Sequence, residues 1–403
     1  QQPYPMQRLL QGDVGSGKTV VALSAMLVAV EAGAQAALLA PTELLARQHY
    51  ETIRRMAEAT GVSVALLTGR DKGKAREAVL MGLISGEVQI CIGTHAIFQE
   101  AVSYKNLGLV VIDEQHRFGV GQRLMLTQKG RRTPHCLAMT ATPIPRTLTL
   151  AQYGEMDVSR LDELPPGRQA IDTRVVAVER IGDVIGALSR HMAAGGQAYW
   201  VCPMVRENEV DDLAAAEARH AELKARLGDG VVLVHGQLRP EAKDAAMEAF
   251  ASGKAQLLVA TTVIEVGVDV PNATVMVIEG ADRFGLSQLH QLRGRIGRGS
   301  HGGTCFLFPE SSGARAAKRL GAMASTSDGF RLAELDLEMR GEGEVAGTRQ
   351  HGLPRFRVAS LPRDIELLEA VRQDLGSMNE TELGMLGELI RNPSEAAEPG
   401  VAA

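Results

Sequence analysis

The chain has 403 residues, enough for two or three domains of about 150 residues with a core each. It contains no apolar run of about 18 residues, so a membrane span is not expected, and the opening QQPYPMQRLL does not resemble a signal peptide. The formal net charge of -5 opposes binding of nucleic acid by bulk positive charge, so any anion must be held by local patches. Cys91, Cys136, Cys202 and Cys305 are widely spaced, with no C-x2-C pair, which excludes an obvious zinc site or short disulfide framework and fits a reduced cytoplasm.

In chain order, the first element with chemistry is QGDVGSGKTV at 11–20. Gly12, Gly17, Lys18 and Thr19 satisfy G-x4-G-K-[ST], and the apolar run at 20–30 reads as the helix that such a loop opens. Gly12, Gly15, Ser16 and Gly17 let backbone N–H groups wrap a phosphate at the positive end of a helix. Lys18 is placed to reach β- and γ-phosphates, and the Thr19 hydroxyl to bind Mg²⁺. The alternative is a chance Gly-rich turn. Such a loop identifies ATP-type fuel but not the work, since kinases, GTPases, transporters and motors all use it.

Short apolar runs follow at 36–43, 64–69, 88–95, 107–116 and 135–143, separated by helix-period segments such as ELLARQHYETIRRMAEA. A second series lies at 197–205, 231–238, 255–270, 274–281 and 302–310. Apolar residues on both faces predict buried parallel strands, hence two doubly wound α/β domains. DELPPGRQ at 162–169 is the natural linker. The expected division is 1–165, 166–335 and a C-terminal extension, 336–403. Ligands of open parallel sheets bind beyond the carboxyl ends of the strands. The polar tails PTE, TG, GTH, DEQH and TAT stand at such ends, either as one shared site or as five ordinary turns.

VVIDEQH is apolar up to Asp113, the candidate Mg²⁺ ligand, with Glu114 placed to orient or deprotonate a water. An acidic helix cap is the alternative. QLHQLRGRIGRG at 288–299 sets Gln291, Arg295 and Arg298 in Q-x2-G-R-x-G-R. Arginines brought from a second domain to the γ-phosphate would make hydrolysis depend on domain closure. A solvated basic loop is the bland reading.

GDVGSGKT, PTELLARQH, DEQH, TATPIPRT, ATTVIEVGVDVPNA and QLHQLRGRIGRG, in this order over nearly the whole chain, resemble the successive motifs of superfamily two helicases and translocases. The resemblance implies two tandem RecA-like domains that bind ATP and Mg²⁺ between them. It places Gly267 and Asp269, with Glu265, at the nucleotide, and it makes Gln115, His116, Thr140, Ala141 and Thr142 the link to nucleic acid. His116 can equally be a satisfied core histidine, and VGVDV a plain strand bulged at Gly267. MQRLLQGDVGSGKT, LTGRDKGKAR, DEQHRFGVGQR and TATPIPRTLTL narrow the likeness to the RecG family, bacterial translocases that remodel stalled forks and branched DNA. The transcription-repair coupling factor is the runner-up, set apart by DEQH against DEEH at Gln115.

By the same resemblance, Pro41, Thr42 and Arg47, Thr68 and Gly69, Gly93, Thr94 and His95 in the first domain, and His235, Gly236, Thr261 and Thr262 in the second, are candidate contacts to DNA backbone. Each is also what an ordinary turn uses. DLEMRGEGEVAGTRQHG at 336–352 is similar to the helical hairpin and loop that follow this family's motor. Arg349, Gln350, His351, Arg355 and Arg357 form a basic strip there, suited to phosphate contacts or simply to solvent. Glu342 stands where the family commonly has proline, which loosens the chain at that point. Aromatics are 3% of residues, sparse for stacking single-stranded bases.

The resemblance also implies that the chain is the motor portion of a longer protein, without the N-terminal wedge that gives fork selectivity. The expectation is a monomeric, nucleoid-associated bacterial cytoplasmic enzyme acting on branched and duplex DNA, with a single-stranded DNA-binding protein as a further partner and no membrane. A non-translocating ATP-dependent switch and an RNA helicase are the rival readings. The carboxylate with two arginines argues against the first, and the basic strip against the second.

Overall fold

In the computed structural model, the residues described are 4–114, 133–142, 156–163, 169–203, 209–261, 270, 272–297, 302–341 and nine positions between 367 and 384. They hold two all-parallel sheets, both in one compact unit. The first sheet has seven strands, β1 (Gln7–Gly12), β2 (Gln35–Leu39), β3 (Val64–Leu67), β4 (Ile90–Gly93), β5 (Leu107–Ile112), β6 (His135–Thr140) and β7 (Asp157–Leu161). Their order across the sheet is β3-β4-β2-β5-β6-β1-β7. The second has six, β8 (Ile171–Val175), β9 (Gln197–Val201), β10 (Val231–Val234), β11 (Leu257–Ala260), β12 (Ala273–Ile278) and β13 (Gly303–Leu307), in the order β10-β11-β9-β12-β13-β8. Renumbered from its own first strand, the second order is that of the first sheet without β7. One topology is therefore used twice, as the two rhythms of apolar runs predict.

All ten strands expected from those runs are present, although β11 is only Leu257–Ala260 of the run 255–270, whose residues 262–269 lie outside the described residues. Three strands were not expected. β1 lies inside the first sheet between β6 and β7, whereas β7 and β8 are polar edge strands.

The central strand shows why the runs are apolar on both faces. Ala36, Leu38 and Ala40 join one buried cluster with Ala22, Leu23 and Met26 of α1 (Lys18–Glu31) and Ala46 and Ile53 of α2 (Glu43–Ala57). Ala37 and Leu39 point the other way, into a cluster with Leu83 of α3 (Gly73–Ser85), Ile97 and Val102. Alternation of side chains puts helices on both faces, and each fully buried Leu, Ile or Met stabilises the fold by about 1.5–3 kcal/mol. In the second sheet Ala198, Trp200 and Cys202 pack with α4 (Ile181–Ala193) and α5 (Glu209–Leu227), while Tyr199 meets Phe250 of α6 (Pro240–Ala251) at 4.9 Å between ring centroids.

Both central strands begin with a buried glutamine, in QAALL and QAYWV. Gln35 donates through Nε2 to the carbonyls of Leu83 (3.0 Å) and Val88 (2.7 Å) and accepts from Asn106 N–H. Gln197 does the same work for Phe250 (2.6 Å) and Ala255 (2.9 Å). Buried carbonyls at a helix end need a donor, and a side-chain amide at the strand's first residue supplies two N–H groups at one point.

Most of the C-terminal extension expected to form a hairpin, 342–403, lies outside the described residues. Before it stand α7 (Leu286–Arg293), α8 (Ala314–Ser325) and α9 (Gly329–Gly341).

Candidate functional site

The loop between β1 and α1 carries the geometry that its glycines predict. Gly15 and Gly17 have φ of 79° and 92°, backbone that other residues rarely adopt. A Cβ on Gly12 would overlap Ser16 Oγ and stand 3.0 Å from Leu161 Cβ, so the turn closes only around glycine. Lys18 donates through Nζ to the carbonyls of Gly12 and Asp13, both at 2.8 Å. The Ser16 hydroxyl oxygen is buried with no hydrogen-bond partner among the described residues. This loop can take a phosphate on backbone N–H groups, Ser16 and Lys18, with Thr19 beginning α1 beside it.

Asp113 follows β5, and its backbone N–H donates to Leu39 O at 2.9 Å. Its carboxylate is divided between two partners. Oδ2 lies 2.8 Å from His49 Nε2, and Oδ1 accepts from Glu114 N–H at 3.0 Å. Burial pushes the Asp113 carboxyl up, but His49, Lys18 and the Glu114 N–H outweigh burial and hold it below its ordinary value. Glu114 moves the other way. Burial, then the charge of Asp113, raise it, and Lys18, Arg295 and the Ala141 N–H do not cancel the rise. Two adjacent carboxyls are thus driven apart, Asp113 toward the ionised form and Glu114 toward stronger proton affinity, which lets neighbouring carboxyls serve different roles in one site. Glu114 has φ 50°, the only positive φ at a non-glycine among the described residues.

His49 is a site residue that sequence reasoning missed. On α2, Ala46, Ile53 and Ala57 are buried, and His49 falls on their stripe with its side chain 12% exposed. A histidine on the apolar stripe of a helix that opens at a strand's carboxyl end was the available signal.

The second sheet supplies the other wall of the site through α7 and the turn after it. Arg295 is near enough to Glu114 to pull its carboxyl down. Gln291 Nε2 donates to Thr142 Oγ1, while Thr142 N–H donates to Thr140 Oγ1 at 3.1 Å. A Cβ on Gly294 would stand 2.9 Å from Val14 Cβ, so that glycine of G-R-x-G-R lets α7 meet the phosphate loop. His290 Nε2 lies 2.7 Å from Asp13 Oδ1, and Arg293 Nη2 lies 3.0 Å from His290 Nδ1. Lys18, Asp113, Glu114, Gln291 and Arg295, assigned from spacing in two separate halves, are therefore brought together. Asp13, His290 and Arg293 were not anticipated.

Three family models match in series. Residues 5–150 match the DEAD/DEAH box helicase model, 178–300 the helicase conserved C-terminal domain, and 326–386 the model described as ATP-dependent DNA helicase RecG, domain 3, C-terminal. The ATP-dependent DNA helicase RecG of Pasteurella multocida is 51% identical over 377 residues, covering 92% of this chain and 54% of that protein. Its Escherichia coli O127:H6 counterpart is 52% identical over 376 residues, with the same coverage. The solved structure of RecG bound to a three-way DNA junction superposes with a TM-score of 0.76 at 46% identity, over 91% of this chain and 48% of that one. The chain belongs to the RecG family. It spans about half the length of these relatives.

Among the remaining candidates suggested by the RecG resemblance, several have local work. Thr42 Oγ1 accepts from Leu45 N–H at 3.4 Å as the N-cap of α2. Thr68 is tied to Asp71 through its backbone N–H (2.6 Å) and its hydroxyl (2.9 Å). Gly93 has a packing reason, because a Cβ there would collide with Leu67 O on the neighbouring strand. Arg47 and His95 are exposed and Thr94 is buried. In the second sheet His235 and Thr261 are buried at the ends of β10 and β11, and His235 Nδ1 and Thr261 Oγ1 have no hydrogen-bond partner among the described residues. Gln115, His116, Thr262, Glu265, Gly267, Asp269, Arg298, Arg349, Gln350, His351, Arg355 and Arg357 lie outside the described residues.

Proposed function

We propose that this chain is an ATP-hydrolysing motor that moves on duplex DNA and, in its bacterial cytoplasm, remodels stalled forks and Holliday junctions in recombination and repair. The carrying observation is that Arg295 of the second sheet acts on Glu114 of the first, beside Lys18 and Asp113. A hydrolytic set divided between two domains is complete only when they meet, so each turnover requires a movement.

In this reading Gly12, Gly15, Ser16, Gly17 and Lys18 hold the phosphates. A phosphate, fully charged, displaces the two carbonyls that now receive the Lys18 ammonium. Thr19 and Asp113 would hold Mg²⁺, which supplies charge neutralisation at the β- and γ-oxygens, and an ionised, buried Asp113 suits that role. Glu114 takes a proton from the attacking water, and its raised pKa favours it as acceptor. Arg295, with Arg298, stabilises the developing charge, and Gln291 ties that helix to Thr142, at the turn expected to communicate with DNA. Thr42, Arg47, Thr94, His95, His235 and Thr261, at or shortly after strand ends, are read as contacts to DNA backbone, and Arg349, Gln350 and Arg355, outside the described residues, as further phosphate contacts. Branched DNA as substrate is supported by the relative solved on a three-way junction. The match at 326–386 favours RecG over the coupling factor.

The test is steady-state ATP hydrolysis without nucleic acid, with linear duplex DNA, with a model fork and with duplex RNA, for the wild type and Glu114→Gln. DNA stimulation that vanishes in the variant is expected. Hydrolysis indifferent to DNA would leave a non-translocating switch, and preference for duplex RNA would transfer the motor to another substrate.

A further inference from the structure

The contact between Asp13 and His290 joins residues 277 positions apart and binds the phosphate loop to the second sheet, yet neither residue belongs to the hydrolytic set. Its chemistry is constrained from both ends. Arg293 has only donors, so His290 Nδ1, 3.0 Å from Arg293 Nη2, must accept. The imidazole therefore carries its proton on Nε2 and donates it to Asp13 Oδ1 at 2.7 Å. Arg293 is only 3% exposed, and its Nη1 donates to the carbonyls of Met323 (2.8 Å) and Thr326 (2.9 Å). A buried guanidinium needs a nearby negative charge. Asp13 provides one through the imidazole, in a line Asp13–His290–Arg293.

Asp13 is also the residue that shapes the loop. Its Oδ1 accepts from Val14 N–H at 2.7 Å, and its carbonyl receives Lys18 Nζ at 2.8 Å. Arg295 lies five positions after His290, two residues past the end of α7. Whatever fixes Asp13 to His290 thus fixes the phosphate loop and Lys18 relative to the arginine that faces Glu114.

We propose that His290 is a positioning residue for ATP hydrolysis: oriented by Arg293, it holds Asp13 and so sets the phosphate loop in register with Arg295. This rests on the ATP-hydrolysing reading above. It acts through Asp13 and Arg293, so its loss is expected on turnover more than on binding.

The experiment compares His290→Asn with His290→Gln in the full chain. The Gln amide nitrogen reaches close to the position of imidazole Nε2 and keeps a donor for Asp13, whereas the Asn amide reaches only to the position of Nδ1. His290→Asn is expected to lower kcat about tenfold, with KM for ATP changed less than threefold, and His290→Gln to restore at least half of kcat. Asp13→Ala should lower kcat as much, and the double variant Asp13→Ala/His290→Asn no further. Equal loss in the Asn and Gln variants, or additive loss in the double variant, would overturn the proposal. Histidine-selective ¹⁵N NMR of the wild type tests the relay without turnover. A neutral Nε2–H tautomer whose resonance moves in Asp13→Ala supports it, and a proton on Nδ1 or an unmoved resonance refutes it. Should the wild type hydrolyse no ATP, the functional reading fails by itself while the NMR arm still decides the relay.

Discussion

Replacing His49 by Ala removes the partner of a carboxylate that the fold has already desolvated. The two side chains are each 12% exposed and their polar atoms 2.8 Å apart. A hydrogen bond to an ionised group in such a setting contributes about 1.5–3 kcal/mol, equivalent to roughly 10- to 150-fold in an equilibrium constant. The loss is local to β5, because Asp113 N–H is the bond that continues this strand's pairing to Leu39 O. Hydrogen exchange of the peptide 107–114 should therefore quicken by at least tenfold at pH 7 in His49→Ala. The sign with pH follows from Asp113, which is held below its ordinary 3.8. A depressed carboxylate contributes stability in full above its unfolded value and loses it as pH falls through its folded value. The gap between wild type and variant should thus be full at pH 7 and close only below about pH 4. Exchange in 107–114 changed less than threefold at pH 7 would show that His49 does not hold Asp113.

Glu114→Gln is expected to cut hydrolysis by about 10²–10⁴ while raising stability at neutral pH. Glu114 is held above its ordinary 4.5, so the folded chain resists ionisation, and the cost grows as pH rises from the ordinary value and levels off above the raised one. Equilibrium unfolding should find the two proteins alike near pH 4 and the variant the more stable at pH 7; a less stable variant at pH 7 would contradict the assignment. Gly93→Ala places a methyl against Leu67 O and 2.5 Å from Ile97 Cγ2, and should destabilise the first sheet by about 1–3 kcal/mol or more, measured by denaturant unfolding. Gly33→Ala, with nothing within 4 Å of its Cβ but φ 77°, should cost only about 1–2 kcal/mol from its backbone, and the reverse ranking would be wrong for this packing. Burial pushes the thiols of Cys91 and Cys305 up to about 12, so native labelling at pH 8 should spare both, and half-buried Cys136 should react first. Rapid modification of Cys91 in folded protein would refute its burial.

The twofold sheet pattern was legible because a strand buried on both faces leaves a continuous apolar run, as in QAALL and LGLVVI. β7 and β8 left no such trace, since edge strands such as DVSRL and IDTRV keep polar residues at exposed positions. β1 was hidden by its own chemistry: QRLLQG has two consecutive leucines between polar residues, and its last glycine belongs to the loop. The phosphate loop, Asp113 and Glu114 were readable from spacing alone, as each sits at a strand end. His49 required knowing that α2, packed over β3 and β4, brings that residue to the carboxylate just after β5, and the Asp13–His290 contact joins two halves whose docking no local pattern records. Gly294 was assigned within a motif, but its cause is Val14 of the other sheet.

The left-handed backbone at Glu114 bears on how this protein would fare in directed evolution. A conformation that costs an ordinary side chain about 1–2 kcal/mol is relieved by glycine and eased by asparagine. A screen for heat tolerance alone would thus keep recovering substitutions at position 114, each a sturdier protein with an idle engine. Libraries built on this scaffold need that codon held constant, or a turnover assay alongside every melting curve.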